Sequence, residues 1–382
     1  MKILLYVLVL FTFLKPSGFD ALGYSAINSL FNTLRICLAV IILFLYLRKN
    51  RISRNLCYEL LFFIPLGLSS FLNNSGIERY FIFAGSVLSL TMCIEIMIKK
   101  DVKAFIYSLF YTYFLLIVTN YVYMISVGGV FIDIENARPD LFVFNSESVV
   151  TLLSSVNGVA SYIFPAIFSS VLLMRITTFK NLMCWGLILL CFLSELFLWS
   201  ATSLSGVFIL VIYILFIFNN MRISRKYVRP NLILLGTLFL SLGITFFNIQ
   251  NWFSYIITEI LHKDLTMTGR TNVWEVGFKG FRESPIWGCG FGSQTIDNCY
   301  IQVLYATGIV GAIGFFLYIY YSVKKMHLNN PIRLERFVGI LFAVEVLMFT
   351  TESWINFLGL FITLILGVNL REIESRLLIR PS

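Results

Sequence analysis

Charged residues are scarce in this chain of 382 residues, where they account for 13% of the sequence while hydrophobic residues account for 58%. A soluble globular domain carries roughly 25% charged residues, so the composition excludes a soluble fold. The alternation of apolar and polar residues that a transmembrane β-barrel needs is also missing. The sequence instead contains near-continuous apolar runs, such as 37–46 and 232–242, which indicate helices that cross a membrane.

Metal-ligand and disulfide patterns are missing as well. The chain has two His and seven Cys, and none of the Cys belongs to a CxxC pair or lies near a His at metal-ligand spacing. We therefore expect no metal site and no disulfide framework. Cys289 and Cys299 are the two cysteines that could pair outside the membrane, although buried or interfacial thiols are the commoner case.

The net charge of +9 raises the question of a nucleic-acid partner. The Lys and Arg residues cluster in alternate connections between the apolar runs, and no basic groove sequence with interleaved aromatic residues is present. We therefore expect no nucleic-acid partner. The clusters instead follow the positive-inside rule for a multi-pass membrane protein with both termini in the cytoplasm.

About twelve apolar runs are candidates for membrane spans, at roughly 20 residues for a full crossing. The predicted fold is thus an all-α polytopic transmembrane helical bundle. The runs lie at 3–14, 33–47, 57–72, 80–98, 104–126, 149–174, 182–199, 201–218, 231–248, 299–323, 335–350 and 353–369. This assignment divides the chain into a first group of spans (1–248), an external segment (249–298) and a last group of spans with a cytoplasmic tail (299–382).

The external segment 249–298 has too regular a pattern for a flexible linker. Apolar residues repeat at helical spacing in 253–261 and again in 273–281, which predicts two amphipathic helices at the membrane surface. Gly288, Gly290 and Gly292 follow, and their spacing predicts a pliable turn. Because the only other long external segment is 126–148, we expect the functional residues to lie in these two segments.

Short motifs follow one another in a fixed order through the later segment and into the next span. They are Thr268-Gly269-Arg270, then Trp274, then Ser284-Pro285-Ile286-Trp287-Gly288-Cys289-Gly290-Phe291-Gly292, then Asp297-Asn298-Cys299-Tyr300, then Thr307-Gly308-Ile309-Val310-Gly311. This ordered series resembles the O-antigen polymerase and ligase superfamily, and within it the Wzy-type polymerases. Ligases of the superfamily usually carry a His where this chain has Asp297-Asn298, so the resemblance favours a polymerase.

The resemblance implies a membrane glycosyltransferase of the bacterial cytoplasmic (inner) membrane. It would join lipid-pyrophosphate-linked oligosaccharide repeat units into O-antigen, capsular polysaccharide or exopolysaccharide at the outer face, with no nucleotide sugar, metal or other cofactor. The implied partners are a polyprenyl-pyrophosphate-linked oligosaccharide and membrane lipids, with a chain-length regulator and a flippase as further candidates. One departure is the absence of the family's Ser-Arg signature from 200–206, which puts in doubt an arginine contact that relatives use.

Polymerisation requires groups that hold a pyrophosphate and groups that activate a sugar hydroxyl. Arg270 and Arg138 are the candidates for the first task, because a guanidinium donates paired hydrogen bonds to phosphate oxygens. Arg270 also precedes a predicted helix, whose first amide groups favour anions. Asp297 is the candidate general base. Asn298 is a candidate for orienting a sugar or phosphate oxygen, and Tyr300 for stacking on a sugar.

Each of these residues also has an ordinary interpretation. Lys279 and Arg282 are substrate-binding candidates, but as external cations they are more commonly turned towards lipid headgroups. Arg270 could be an exposed loop arginine, and Asp297 could cap the helix that follows. At the level of function, the alternatives are a lipid-linked oligosaccharide flippase or transporter, and a ligase of the same superfamily. The absence of a repeat between the two halves of the chain weakens the transporter alternative.

Overall fold

The computed structural model describes most of the chain, which folds into two units. Unit 1 comprises Met1–Arg51, Gly85–Met221 and Phe361–Ser382, and unit 2 comprises Ile52–Ala84 and Arg222–Leu360. The residues described below are 1–19, 21–49, 51–127, 130–132, 148–177, 181–198, 200–218, 228–253, 255, 270–292, 294–329 and 331–378.

Both units are built of helices. In chain order these are α1 (Lys2–Phe13), α2 (Ser25–Lys49), α3 (Arg54–Leu72), α4 (Ile77–Val127), α5 (Ala160–Met174), α6 (Asn181–Leu198), α7 (Ala201–Ile212), α8 (Pro230–Phe247), α9 (Arg270–Glu283), α10 (Cys299–Lys325), α11 (Arg333–Met348), α12 (Leu358–Val368) and α13 (Leu370–Leu378). A π-helical segment, Tyr213–Phe218, continues α7. Every predicted apolar run overlaps one of these helices, so the all-helical prediction is confirmed for the described spans.

In unit 1, the long helix α4 is interrupted at Asp101, whose backbone angles (φ −164°, ψ 89°) are not helical. The Asp101 carboxylate accepts a hydrogen bond of 3.0 Å from the Ala104 N–H. An aspartate in this position caps the helical segment that follows it. The interruption falls between the predicted spans 80–98 and 104–126, where a polar connection was expected.

The predicted start of the span at residue 149 is wrong. Ser148–Val150 forms a strand, β2, which pairs antiparallel with β1 (Val130–Ile132) in the register Val130 to Val150. A 3-10 turn at Val156–Val159 then leads into α5. Because β-branched residues suit a strand as well as an apolar helix, hydropathy alone did not separate these residues from the helix.

In unit 2, α3 packs closely against α10. Gly314 allows the approach, because a Cβ on this residue would lie 2.0 Å from the carbonyl oxygen of Leu61. Near the same contact the Tyr318 hydroxyl donates to the buried Glu59 carboxylate at 3.0 Å. The helices α8 and α11 form a second pair in this unit, joined by a hydrogen bond of 3.0 Å from the Ser241 hydroxyl to the Val346 carbonyl.

Six helices among the described residues are long and apolar enough to cross a membrane. They are Ser25–Arg48, Arg54–Leu72, Ile77–Val127, Val156–Met174, Pro230–Phe247 and Cys299–Lys325. Lys2–Phe13, Leu182–Leu198, Thr202–Phe218 and Leu358–Val368 are shorter apolar helices. These lengths support a helical membrane protein, while the count of about twelve crossings stays a prediction.

Candidate functional site

The site is built in unit 2 around an interruption of α10. Gly308 has non-helical backbone angles (φ 59°, ψ −162°). In an unbroken helix, the N–H groups of residues 309 and 310 would donate to the carbonyls of residues 305 and 306. Here the segment 285–290 supplies a partner for each of these four groups. The freed carbonyls accept from Cys289 N–H (to Tyr305 O, 2.7 Å) and Gly290 N–H (to Ala306 O, 3.2 Å). The freed N–H groups donate to Pro285 O (from Ile309, 2.9 Å) and Ile286 O (from Val310, 3.3 Å).

Two glycines allow this segment to approach the helix. A Cβ on Gly288 would lie 2.5 Å from the backbone nitrogens of Thr307 and Gly308, and a Cβ on Gly308 would lie 2.3 Å from the Ile286 carbonyl oxygen. Both glycines also have positive φ values, 73° and 59°, which other residues adopt only with strain. The sequence predicted a pliable turn here. The turn is present, and its backbone is packed against α10 and hydrogen-bonded to it, while its pliability stays a prediction.

The corner between α3 and α4 holds the turn from another side. Ser69 donates to the Ala306 carbonyl (2.7 Å), and the Ser70 hydroxyl accepts from the Phe291 N–H (2.9 Å). Asn73 donates to the Gly288 carbonyl at 2.9 Å. These contacts join residues more than two hundred positions apart in the chain, so sequence reasoning had no signal for them. Ser69, Ser70 and Asn73 are therefore part of the site although no sequence motif contains them.

Trp274 connects α9 to the residues that precede α10. Its ring is 3% exposed and belongs to a buried cluster with Ile296, Ile301 and Tyr305, and its indole N–H donates to the Asp297 carbonyl at 3.3 Å. The predicted helix at 273–281 is confirmed. Its position at the membrane surface stays a prediction. Within the protein, α9 buries its Trp274 face against α10.

Asn298, and not Asp297, caps α10. The Asn298 side-chain oxygen accepts hydrogen bonds from the N–H groups of Tyr300 (3.0 Å) and Ile301 (3.1 Å). Its amide nitrogen donates to the Thr245 hydroxyl (3.0 Å) and the Thr350 carbonyl (3.2 Å). The interpretation of Asp297 as the cap is therefore wrong. Since Asn298 is buried and its donors are engaged, a substrate contact of the kind expected for Asn298 would require one of these bonds to be exchanged.

The backbone before Asp297 is held by a buried amide. Gln302, which is 1% exposed, accepts from the Ile296 N–H (2.5 Å) and donates to the Gln294 carbonyl (3.3 Å). Together with the hydrogen bond from Trp274, these bonds fix the backbone at and before Asp297. The Asp297 side chain itself is half-buried.

The other predicted residues fall into three groups. Lys279 and Arg282 are exposed on α9, and Arg282 donates to the Phe278 carbonyl of its own helix at 3.3 Å. Tyr300 is buried between the rings of Phe316 and Phe349, a position that leaves no open face for stacking on a sugar. Outside the described residues are Arg138, the side chain of Arg270, and most of the helix expected at 253–261; the backbone of Arg270 begins α9.

Cys289 and Cys299 are free thiols, so the disulfide considered from the sequence is not formed. Cys289 is half-buried beside α9, and its thiol lies 3.5 Å from the Gly280 carbonyl. Burial raises the pKa of the Cys289 thiol, and the nearby Glu283 carboxylate raises it further, while a hydrogen bond with Tyr305 acts in the opposite direction. Because the thiolate is disfavoured, Cys289 is not suited to act as a nucleophile.

No group of three or more His, Cys, Asp and Glu side chains that could hold a metal ion occurs among the described residues. No protein-family model and no curated protein matches this chain. The link to the O-antigen polymerase and ligase superfamily is therefore a resemblance that residues 268–311 carry by themselves.

Proposed function

We propose that this chain is a polymerase that joins lipid-pyrophosphate-linked oligosaccharide repeat units at the outer face of the bacterial cytoplasmic membrane. One observation carries the proposal: the motifs of the ordered series, from Trp274 to Gly311, pack against one another. Here 285–290 completes the hydrogen bonding of 305–310, and Trp274 holds Asp297.

The proposed topology places this packed region outside the cytoplasm. The basic clusters at 222–229 and 324–336 flank the region in the sequence, and such clusters stay on the cytoplasmic side of bacterial membranes. The chain would then cross the membrane about twelve times, with both termini in the cytoplasm.

In the proposed reaction the growing chain on its lipid pyrophosphate is the donor, and a hydroxyl of a new lipid-linked repeat unit is the acceptor. The Asp297 carboxylate takes the proton of that hydroxyl as its oxygen attacks the anomeric carbon of the donor. The bond from this carbon to the pyrophosphate oxygen breaks, and the polyprenyl pyrophosphate leaves with the electron pair. Arg270, with Arg138, would stabilise the charge that develops on the leaving group.

Reconstitution tests this proposal directly. The purified protein in detergent, given only a lipid-pyrophosphate-linked repeat unit, should produce a ladder of products on a gel. Asp297→Asn should abolish the ladder, because an amide cannot accept the proton. Glu275→Gln is the matched control, since Glu275 is an exposed carboxylate on α9. The absence of a ladder with folded wild-type protein contradicts the polymerase, and a normal ladder from Asp297→Asn contradicts the role of Asp297 as base.

A flippase is the second candidate, and the interruption of α10 favours it. Broken helices are a common way in which transporters build substrate sites near the middle of the membrane. Cells that lack a polymerase should accumulate single lipid-linked units that an external glycosidase can digest. Cells that lack a flippase should keep these units inside, where the enzyme cannot reach them. A ligase of the same superfamily would differ from both by transferring glycan to another acceptor without producing a ladder.

A further inference from the structure

Arg79 lies beside the glycine turn although it belongs to a distant part of the chain. It is the third residue of α4 and therefore stands at the corner that binds the turn. The Arg79 Cδ and Nη1 atoms lie 3.5 Å and 3.8 Å from the position that a Cβ on Gly292 would occupy. The stem of Arg79 thus packs along the backbone of Gly292, where the absence of a side chain leaves room for it.

The corner that carries Arg79 is fixed relative to the turn. A Cβ on Gly76 would lie 1.6 Å from the Phe291 carbonyl oxygen, so the two backbones are in direct contact. The ring of Phe291 also stacks on that of Phe83, with centroids 5.4 Å apart. The backbone that carries Arg79 is therefore packed directly against the turn.

The charged end of Arg79 lies at the surface. Among the described residues the guanidinium forms no hydrogen bond and no ion pair, and the residue is exposed. Glu78 is adjacent in the helix, and neighbouring positions on a helix do not face each other. A cation in the first turn of a helix is also electrostatically unfavourable, so Arg79 does not serve to stabilise α4.

Gly292, which lies beside Arg79, is five positions before Asp297 in the sequence. From Gly292 the chain leads to the exposed residues Gln294 and Thr295 and then to Asp297. The buried Gln302 side chain is hydrogen-bonded to the backbone of this segment at Gln294 and Ile296. Five residues span at most about 18 Å, so the Cα atoms of Gly292 and Asp297 lie within that distance of each other. The Arg79 cation lies beside the first residue of this short segment and the Asp297 carboxylate is at its last residue.

We propose that Arg79 binds an oxyanion of the lipid-linked oligosaccharide while the acceptor hydroxyl lies at Asp297. This assignment rests on the proposed function. The oxyanion is either a phosphate of the pyrophosphate or the carboxylate of an acidic sugar. A guanidinium presents two parallel donors to both groups. Arg79 is a substrate-binding residue in this proposal, in addition to Arg270 and Arg138.

Binding of two small probes to the purified full-length chain in detergent tests the proposal by calorimetry. Inorganic pyrophosphate represents the phosphate source, and glucuronate represents the acidic sugar. Arg79→Gln should weaken binding of one probe about tenfold or more, and Arg79→Lys should weaken it less, because an ammonium keeps the charge but loses the paired donors. The probe that is affected identifies the source of the oxyanion.

Arg54→Gln is the matched control, because Arg54 is an exposed arginine in the first turn of α3 in the same unit. It should bind both probes like the wild type. The proposal is overturned if the wild type binds neither probe, if Arg79→Gln binds both normally, or if Arg54→Gln loses as much affinity as Arg79→Gln. These measurements need no polymerisation, so a missing ladder with intact Arg79-dependent binding refutes the polymerase and leaves the oxyanion site standing.

Discussion

The contact between Gly288 and the interrupted helix α10 allows a quantitative prediction for Gly288→Ala. The added methyl group would lie 2.5 Å from two backbone nitrogens and 2.6 Å from the Ala306 carbonyl carbon. Placing alanine at a φ of 73° costs roughly 1–2 kcal/mol. Forcing a methyl group into a packed contact costs about 1–3 kcal/mol more. We therefore expect Gly288→Ala to lower the free energy of unfolding by about 2–5 kcal/mol.

Gly236→Ala provides the matched control because Gly236 lies inside α8 in the same unit and a Cβ there has no neighbour within 4 Å. Alanine inside a helix is more favourable than glycine by roughly 0.5–1 kcal/mol, so this variant should be at least as stable as the wild type. Unfolding of the purified proteins in mixed micelles, followed by near-ultraviolet circular dichroism as the fraction of denaturing detergent rises, measures both changes. A Gly288→Ala protein as stable as the wild type would refute the packing of segment 285–290 against α10.

Further predictions concern the cap, the thiol and the topology. Asn298→Ala should cost about 2–4 kcal/mol in the same assay, because it removes the cap and leaves the buried Thr245 and Thr350 groups without their donor; a loss below about 0.5 kcal/mol would contradict the cap. With the other cysteines replaced by alanine, Cys289 should react with iodoacetamide more slowly than glutathione at neutral pH, since its pKa is raised above the ordinary thiol value. The reaction rate of Cys289 should keep increasing at alkaline pH, and Glu283→Gln should shift the pH profile of this rate to lower pH. An unchanged profile would contradict the role of the Glu283 carboxylate in raising the Cys289 pKa. A cysteine at the exposed Thr295 position should react with an impermeant maleimide once the outer membrane is permeabilised, and labelling only after lysis would reverse the proposed topology.

Hydropathy predicted the helices well because a helix in contact with lipid needs a long run of apolar residues, which is visible in the sequence. The signal failed at Ser148–Val150, where apolar β-branched residues form a strand instead of beginning a helix. It could not report how many helices cross the membrane, since several apolar helices are shorter than a full crossing. Charge placement located the connection at Asp101, because a cluster of charged residues between two apolar runs is costly to bury in lipid and therefore marks the end of one helix and the start of the next.

The site was harder to predict, and for identifiable reasons. Aspartate and asparagine cap helices about equally well, so the pair Asp297-Asn298 did not reveal which residue caps α10. The two residues differ in that the Asn298 amide can also donate hydrogen bonds, which it does to the Thr245 hydroxyl and the Thr350 carbonyl. No motif contains Arg79, and nothing in the sequence places it against Gly292.

The interruption of α10 bears on the choice between the two candidate functions. In a transporter with broken helices, the freed peptide groups coordinate the cargo. Here the peptide groups freed at residues 305, 306, 309 and 310 are bonded to segment 285–290. A ligand would have to displace that segment before it could use them. The chemistry available to a ligand is therefore that of the side chains beyond the turn, with Asp297 on a fixed backbone and Arg79 beside Gly292. A carboxylate on a hydrogen-bonded backbone and a guanidinium beside the turn suit proton removal and oxyanion binding better than alternating access, and on this ground we favour the polymerase over the flippase.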